Sequence, residues 1–472
     1  MALLLRKVWQ SMREATFPPP ALITEESSES HMLPHDILLA IFSYLSSGDL
    51  RSASFVCKAW HAVAIDDILW GDLLKREAGE TWSNVLFAET FLRPGFCMRL
   101  SGTECALPSR LIYCQRSQMP NCVVIDGGSG YCKFGWSYDK VPVGKLPTFL
   151  EFGSIESPMH LKFWDLFQVI FGSSLQAKPS AQPVLVTVPI CNSDDANVAI
   201  RKQSRQMTCQ VLFDMGVPAV CTLDQAVLAL YAARLTSGIV VNIGFHMTSV
   251  VPILHGKVMR NLGVEIIGQG ALRLTGYLSE LMQESGIQFA TMYTVRTLKE
   301  KLCYVAEDFE AEKLKNTEAS CRVAGEGVFT LREERYRTGE ILFKPQIGGM
   351  RAMGLHQAVG LCIEHCANRE LSNDIHKGWY KNIVLAGGSA NLPGLAGRLA
   401  KELHRTLDKD LSDGISIQPP LHNDSSAWFG AKVLTNLSTF ERTWCISKKQ
   451  YRQKGPSMIH TVAVDEEFGT EF

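Results

Sequence analysis

The chain has 472 residues, of which 46% are hydrophobic and 20% are charged, and its formal net charge is −1. This length and composition predict two or three domains with a substantial core, and they exclude a wholly disordered chain. The near-zero charge excludes the basic footprint of a nucleic-acid-binding protein, and no apolar run approaches the roughly 18 residues that cross a bilayer.

The N-terminal residues and the cysteines indicate the compartment. Residues 1–31 have charges directly after three leucines and are then rich in Pro, Ser and Glu, so they predict a disordered leader and not a secretory signal. The 14 cysteines are scattered without a CxxC pair, which is typical of reduced thiols in the nucleus or cytoplasm. Cys362, His365 and Cys366 form one local cluster, but so few ligands without a second cluster seldom bind a metal.

Residues 32–78 have a helical pattern. Pro34 suits a first helical position, and apolar residues then recur at helical spacing: Ile37, Leu38, Ile41, Phe42 and Leu45. Asp49 is placed to cap a second helix, whose apolar side carries Leu50, Ala53, Val56 and Trp60. A third helix is predicted around Leu69 and Leu73.

The rest of the chain has a different texture. Residues 79–118 predict a linker with some helix, residues 119–464 alternate short strands with amphipathic helices in the manner of an α/β domain, and residues 465–472 form an acidic tail. Strands are predicted at 122–126, 131–136, 184–188, 239–243, 249–254 and 382–386. Helices are predicted at 195–215, 224–235, 269–284, 294–313, 354–367 and 392–406.

Two segments of the α/β region echo each other. VVIDGGSGYCKFGW (123–136) and IVVNIGFHMTSVVPI (239–253) both read as an apolar strand, a polar bend and a second apolar strand. Because the two hairpins are more than a hundred residues apart in the sequence, the echo predicts two related halves that face a cleft.

The bend of the first hairpin has the composition of an anion site. Gly127 and Gly128 are expected to adopt positive φ and to bring backbone N–H groups close to a ligand. Ser129 adds a hydroxyl, Lys133 adds a positive charge, and Asp126 is able to hold Mg²⁺ through water. The alternative is an ordinary hairpin with an Asp-Gly turn.

Residues 120–464 as a whole resemble the actin family. The first bend is similar to actin's first phosphate loop, and five further segments match in order: DQAVLALYAA (224–233), LKEKLCYVAEDFE (298–310), RYRTGEILFKPQIGGM (335–350), NIVLAGGSANLPGL (382–395) and LSTFERTWCISKKQY (437–451). The resemblance implies an α/β actin-like ATPase fold, with two related halves around a cleft that takes ATP or ADP with Mg²⁺.

The resemblance also implies residue roles. Asp126 would lie near the Mg²⁺ and contact it through water, and Gln225 stands where the family orients the attacking water. The implied nucleotide-binding residues are Asp126, Gly127, Gly128, Ser129, Gly130, Lys133, Lys299, Glu300, Gly387 and Gly388.

Departures from the family weaken the expected chemistry. The second hairpin has Asn242 and Phe245 where the family has aspartates, and Asn391 and Leu392 replace residues that lie against the base. Losses around a metal typically cost about 10- to 100-fold in metal affinity or activity, and the loss of a positioning group costs roughly 10² to 10³ in rate. We therefore expect weak or moderate ATP binding, negligible turnover and a vestigial Gln225.

A deletion is the second departure. Between Pro147 and the strand at 184–188 the chain has room for one helix, whereas actin relatives insert a small lobe whose loop docks into the next subunit of a filament. We therefore expect a monomer that does not form filaments.

Residues 33–70 resemble the F-box family, from the leading Leu-Pro to the Val-Cys-Lys-x-Trp stretch and the final Leu-Trp. The resemblance implies binding to a Skp-family adaptor, and thereby to a cullin ubiquitin ligase, through Leu33, Pro34, Ile37, Leu38, Ile41, Leu45, Leu50, Val56 and Trp60. A segment of about 45 residues is too small to bury enough surface alone, so the alternative is that it packs on the actin-like domain.

Three function classes follow. The favoured hypothesis is a substrate receptor of a Skp–cullin–F-box ligase, with a client protein that the sequence does not name. The second is an actin-like ATPase or nucleotide switch in which the F-box is a packing element. The third is a structural subunit of a nuclear or cytoskeletal complex.

Overall fold

The structure is a computed structural model that describes residues 33–78, 82–93, 108–116, 121–152, 154, 156–189, 195–369, 378–456 and 458–459. The chain divides into two compact units, Met1–Glu77 and Ala78–Phe472. The predicted leader at 1–31 and the predicted acidic tail at 465–472 lie outside the described residues.

The first unit is helical. Its helices are α1 (His35–Phe42), α2 (Ser47–Ala53), α3 (Lys58–Ala64) and α4 (Asp67–Ala78). The predicted second helix is therefore two helices, because turns at Phe55 and Val56 end α2 before α3 begins. The predicted cap is also wrong: Ser46 Oγ accepts the backbone N–H of Asp49 at 3.3 Å, so Asp49 lies in the first turn, where its charge favours the helix dipole.

A small core and one arginine hold these helices together. Leu38, Phe42 and Leu50 are buried, and the ring of Phe42 meets that of Trp60 edge to face, with centroids 5.2 Å apart. Arg76 of α4 donates to the carbonyls of Ser43 and Leu45 at 2.9 and 3.0 Å. These bonds satisfy carbonyls at the end of α1 and join the last helix to the first.

The second unit is built on strands in the following order along the chain: β1 (Val123–Gly127), β2 (Tyr131–Trp136), β3 (Gly144–Pro147), β4 (Val184–Val188), β5 (Ala219–Asp224), β6 (Gly238–Ile243), β7 (Met247–Leu254), β8 (Lys257–Val258), β9 (Val264–Ile267), β10 (Ala319–Val323), β11 (Gly327–Leu331), β12 (Asn382–Ala386), β13 (Ser416–Gln418) and β14 (Ile446–Ser447). The first sheet has the order β14-β5-β4-β1-β2-β3, and the second has the order β13-β12-β6-β7-β8, with β9 also paired to β7.

The two sheets repeat one topology. In the first, β1 is antiparallel to β2 and parallel to β4, which is parallel to β5. In the second, β6 is antiparallel to β7 and parallel to β12, which is parallel to β13. The prediction of two related α/β halves is confirmed.

Helices cover both sheets. They are α5 (Trp82–Phe87), α6 (Ser109–Arg116), α7 (Met159–Gln168), α8 (Asp195–Asp214), α9 (Gln225–Ala232), α10 (Ala271–Glu284), α11 (Met292–Leu302), α12 (Phe309–Lys313), α13 (Glu334–Glu340), α14 (Leu355–Arg369), α15 (Leu395–Thr406), α16 (Lys409–Ser412), α17 (Ser426–Thr435), α18 (Phe440–Trp444) and α19 (Lys448–Lys454). Side chains of α9 and α17 share one core with β1 and β4 of the first sheet and with β6 and β12 of the second. These two helices therefore join the halves.

In the second unit, most predicted elements match the structure within a few residues, with one correction. The predicted helix at 294–313 is two helices, α11 and α12. The backbone N–H of Val305 donates to the carbonyl of Pro393 at 2.8 Å, and this bond to a distant loop draws the chain out of the helix.

The described parts of 79–118 pack as part of the second unit. α5 continues into a π-helical turn at Ala88–Leu92, and the Trp444 indole donates to the Leu92 carbonyl at 3.1 Å. Buried Glu89 accepts the N–H and the hydroxyl of Ser438 at 2.8 and 2.9 Å. This segment therefore contributes core and buried hydrogen bonds to the unit.

Between β3 and β4, the described residues hold α7, its π-helical extension at Val169–Ser174 and short 3₁₀ turns, but no strand. This agrees with the prediction of room for a single helix there. Within the described residues, none of the helices combines the length and apolar content that a membrane crossing requires.

Candidate functional site

Asp126 lies at the centre of a polar network at the end of the first sheet. Its buried carboxylate accepts the hydroxyl of Thr187 at 2.6 Å and the side-chain amide of Gln225 at 2.9 Å. Asp126 is near the end of β1, Thr187 is near the end of β4, and Gln225 follows β5 directly. Because parallel neighbouring strands end at the same edge, the sheet brings together two residues that the sequence predicted for one site, Asp126 and Gln225.

The first bend is tighter than expected. Neither Gly127 nor Gly128 has a positive φ, so that prediction is wrong. The reason is the strand register: Gly127 still pairs with Cys132, and the N–H of Gly128 donates to the carbonyl of Tyr131 at 3.1 Å. Ser129 at the tip of the bend is exposed.

Lys133 already has an anionic partner. Its ammonium donates to the backbone carbonyl of Asp424 and lies 3.3 Å from Asp424 Oδ2. Lys145 of β3 approaches the same oxygen at 2.9 Å. Burial opposes the charged carboxylate, but the two lysines outweigh it and lower the pKa of Asp424. Asp424 thus joins two lysines of the first sheet to the turn that precedes α17.

The second bend, residues 244–246 between β6 and β7, contacts the first bend through an aromatic ring. A Cβ on Gly130 would lie 2.8 Å from Cγ of Phe245, so glycine is what lets this ring approach the first bend. The carbonyls of Gly244 and Phe245 accept the first N–H groups of α10, from Ala271 and Leu272, at 2.9 Å each. Those amides, which at other helix starts bind anions, are therefore satisfied by the second bend itself.

Lys299 and Glu300 are neighbours in the sequence but lie in different environments. Lys299 is buried, and its ammonium donates to Thr275 Oγ1 at 3.0 Å and to the carbonyl of Ala271 at 3.2 Å, which ties α11 to α10. Burial lowers the pKa of Lys299. Glu300 is exposed and pairs with Arg296 at 2.8 Å. The nucleotide contacts that the resemblance implies for these two residues stay predictions.

Arg296 reaches the first bend from α11. It donates to the hydroxyl of Tyr131, and its guanidinium lies 4.9 Å from the centroid of that ring. Lys145 Nζ also lies over this ring, 4.5 Å from the same centroid. Tyr131 is therefore held by cation–π contacts as well as a hydrogen bond.

The Gly387–Gly388 loop lies against the second bend. Gly387 has φ 88°, and a Cβ there would come within 2.3 Å of the carbonyl oxygen of Ile243. A Cβ on Gly388 would lie 3.6 Å from Cβ of Asp424, so this loop adjoins the Asp424 turn. Asn391 closes the loop by donating to the Gly388 carbonyl at 3.1 Å, and Leu392 is buried.

The fold implies a nucleotide with a metal, and the residues fit that group on one condition. Asp126 and Gln225 lie together at the strand ends, as a site for a hydrated cation and a phosphate requires. Lys133, however, is paired with a carboxylate of its own chain, and the side chain of Phe245 offers no ligand atom. A phosphate beside Lys133 would therefore compete with Asp424 for the same ammonium group.

The first unit has apolar side chains on its outside. Leu33, Ile37, Ile41 and Val56, which the sequence predicted to bind an adaptor, are exposed, as is Pro34. Leu38 and Leu50 are buried and belong to the core of the unit, and Leu45 and Trp60 are half-buried. Further exposed apolar residues in this unit are Tyr44, Phe55, Ile65 and Ile68.

The cysteine cluster has a structural environment. Cys362 and Cys366 are buried on α14. The pKa of Cys362 is raised well above its ordinary value, mainly by its hydrogen bond with Cys366 and in addition by burial. No group of three or more potential metal-ligating side chains occurs among the described residues.

Four residues of the site were not predicted: Thr187, Asp424, Lys145 and Arg296. Thr187 had a usable signal, because a polar residue in the buried run VLVTV marks a strand end at the same edge as Asp126. Asp424 had none, since it is 291 positions from Lys133 and lies in a short 3₁₀ turn.

Comparison with known proteins agrees with this architecture. The sequence profile of the family described as Actin matches residues 151–463, and that described as F-box-like matches residues 31–76. The first bend precedes the matched actin range, but β1 pairs directly with β4 inside it.

Proteins described as Actin-related protein 8 are similar along almost the whole chain. Those of Oryza sativa subsp. indica and subsp. japonica are each 50% identical over 486 residues, covering 98% of this chain and 100% of the relative. That of Arabidopsis thaliana is 49% identical over 474 residues, covering 97% of this chain and 100% of the relative. The chain therefore belongs to the actin family and carries an F-box-like segment ahead of its actin domain.

Proposed function

We propose that this protein is a substrate receptor of a Skp–cullin–F-box ubiquitin ligase. Its F-box-like unit binds a Skp-family adaptor, and its actin-like unit presents a surface to a client protein. The observation that carries the proposal is the exposure of Leu33, Ile37 and Ile41, at 52%, 45% and 43%, in a unit that has its own core. Such a receptor works in the nucleus or cytoplasm.

Helix α1 has apolar residues on two faces. Leu38 and Phe42 are four positions apart, lie on one face and are buried, whereas Ile37 and Ile41 have the same spacing and are exposed. A helix that is apolar beyond the stripe facing its core is suited to a second partner. A contiguous exposed apolar patch on a folded unit is typical of a protein interaction site.

The test uses the full-length protein and an immobilised recombinant Skp-type adaptor. We expect binding by the unmodified protein and a loss of about 100-fold or more in affinity for the double variant Ile37→Asp/Ile41→Asp, since central apolar anchors carry most of an interface's energy. Leu314→Asp is the matched control, because Leu314 is 86% exposed and lies in the actin-like unit.

Far-UV circular dichroism of both variants excludes unfolding as the cause. Absence of binding by the unmodified protein contradicts the receptor role. Equal binding by the double variant contradicts the assigned face of α1, because the charges would then lie outside the interface.

The proposal includes weak nucleotide binding by the actin-like unit, with negligible hydrolysis. Asp126, Thr187 and Gln225 support weak binding of ATP or ADP with Mg²⁺. Asn242 and Phe245 supply no carboxylate to the second bend, so turnover is negligible. Single-turnover hydrolysis tests this: a rate comparable to that of actin, abolished by Gln225→Ala, would instead favour a nucleotide switch as the primary function.

The absence of a strand-containing lobe between β3 and β4, within the residues that the structure describes, supports a monomer that does not form filaments. Sedimentation velocity under salt conditions that polymerise actin tests this part. Assembly into long polymers would favour the alternative of a cytoskeletal structural subunit.

A further inference from the structure

Lys133 and Lys145 form an unusual cross-strand pair. They are direct partners in the antiparallel register of β2 and β3. Like charges directly opposite each other on neighbouring strands repel and destabilise the pairing. An anion between the two ammonium groups, from a ligand or from the chain itself, relieves this repulsion.

Asp424 supplies that anion. One of its carboxylate oxygens lies 3.3 Å from Lys133 Nζ and 2.9 Å from Lys145 Nζ. Its backbone carbonyl also accepts from Lys133. Charge-assisted contacts of this kind are about twice as strong as neutral hydrogen bonds. The Asp424 carboxylate therefore partly neutralises both lysines and weakens their attraction for a second anion.

The position of Asp424 lets it act on the cleft as a whole. It lies in the 3₁₀ turn Asn423–Ser425, directly before α17, and it adjoins Gly388 in the loop that follows β12 of the second sheet. Its partners Lys133 and Lys145 are both in the first sheet. The ion pairs therefore join the two sides of the cleft.

Two neighbouring contacts close the same region. The ring of Phe245 packs on Gly130, and Arg296 donates to Tyr131. Both contacts link the first bend to elements of the second half. Among these three contacts, the Asp424 ion pair alone engages a lysine that the family resemblance assigns to phosphate, Lys133.

We propose that Asp424 is a built-in occupant of the phosphate site, which holds the cleft closed without nucleotide and which any phosphate ligand must displace from Lys133 and Lys145. The proposal rests on the proposed location of the nucleotide site and not on the adaptor role. It gives a physical reason for the weak nucleotide binding that we propose, although Asp126, Gln225 and Lys133 are all present.

The experiment compares the full-length protein with Asp424→Asn, which keeps the shape of the side chain and removes its charge. A fluorescent ATP analogue with Mg²⁺ and unlabelled pyrophosphate are the probes, and thermal unfolding without ligand is a second readout. Asp72→Asn is the matched control, because Asp72 pairs with Lys75 at 3.1 Å on the surface of the first unit.

We expect Asp424→Asn to unfold at a lower temperature without ligand and to bind the ATP analogue about tenfold more tightly or better, since two cations are released for phosphate. Pyrophosphate should raise the melting temperature of the variant more than that of the unmodified protein. Adding Lys133→Met to the variant should abolish both gains, and Asp72→Asn should resemble the unmodified protein.

Three outcomes separate the hypotheses. If Asp424→Asn and the unmodified protein bind each probe with the same weak affinity, the built-in occupant is overturned. A gain in pyrophosphate binding without a gain in ATP binding retains the occupant and contradicts the nucleotide site. Tight ATP binding by both proteins retains the nucleotide site and contradicts the occupant.

Discussion

The two bends of the actin-like unit share one topology and differ in chemistry. Asp126 pairs in register with Lys133 in the first hairpin, and Asn242 pairs with Ser249 at the corresponding place in the second. The first pair therefore has opposite charges, whereas the second is neutral. The comparison teaches that the buried strands preserve the repeat, while the polar residues at strand ends are able to change without loss of the fold.

The bends also differ in what satisfies them. The first bend uses side chains from four strands, β1 to β4, together with Asp424. The second bend is held by backbone bonds to α10 and by the ring of Phe245. The following predictions test this contrast.

The largest effect is expected where the two halves are joined. A Cβ on Gly430 of α17 would lie 1.7 Å from the carbonyl oxygen of Leu228 in α9, so Gly430→Ala must force the two helices apart. We expect the free energy of unfolding in urea to fall by about 3 kcal/mol or more. Gly397→Ala is the control, because a Cβ there meets nothing within 4 Å, and its effect should stay below about 1 kcal/mol. Equal effects of the two variants would contradict the helix joint.

The next effect distinguishes the bends directly. Asp126→Ala leaves the donors of Thr187 and Gln225 without their shared acceptor, and we expect a loss of about 1–3 kcal/mol in unfolding free energy. Asn242→Ala in the second bend should cost less, since no charge is involved. Urea unfolding of both variants measures the difference. A larger loss for Asn242→Ala would reverse the comparison.

Removal of the aromatic contact should have a moderate effect. Phe245→Ala takes away the ring that packs on Gly130, and because Phe245 is only half-buried we expect a loss of about 1–2 kcal/mol. Hydrogen exchange should accelerate at residues 127–131 and at 244–247. Unchanged exchange in the first bend would mean that the ring does not join the two bends.

The smallest effect is the dependence of stability on pH. Burial lowers the pKa of His356 and His422 below the ordinary value of 6.5, so the unfolded chain takes up protons first. Their contribution to stability is therefore complete above pH 6.5 and is lost as the pH falls below it. Because the pKa of Asp424 is lowered, its carboxylate stays charged above pH 3.8. Its contribution to stability is therefore constant between pH 8 and pH 5. The melting temperature of His356→Gln should fall less steeply with decreasing pH below pH 6.5 than that of the unmodified protein. An unchanged pH dependence would contradict the role assigned to His356.

The sequence predicted the fold well and the site in part. Hydrophobic periodicity is local, so the strands at 123–136 and 239–253 and most helices could be recognised without distant partners. Gln225 and Asp126 were predicted to share a site, and parallel strand ends do bring them together. Short edge strands such as β13 and β14 carried no pattern long enough to recognise.

What could not be predicted depends on contacts across the chain. The division of the helix at 294–313 follows from a bond between Val305 and Pro393. The capture of Lys133 by Asp424 and the burial of Lys299 between α10 and α11 depend on tertiary packing. A sequence resemblance assigns such lysines to a ligand, but the neighbouring side chains decide whether they are available.

The most direct test of the account measures adaptor binding and nucleotide together. Full-length protein is titrated onto a Skp-type adaptor with and without ATP and Mg²⁺. The account predicts the same affinity within about twofold in both conditions, and its loss in Ile37→Asp/Ile41→Asp. No adaptor binding, or binding that appears only with ATP, would contradict it.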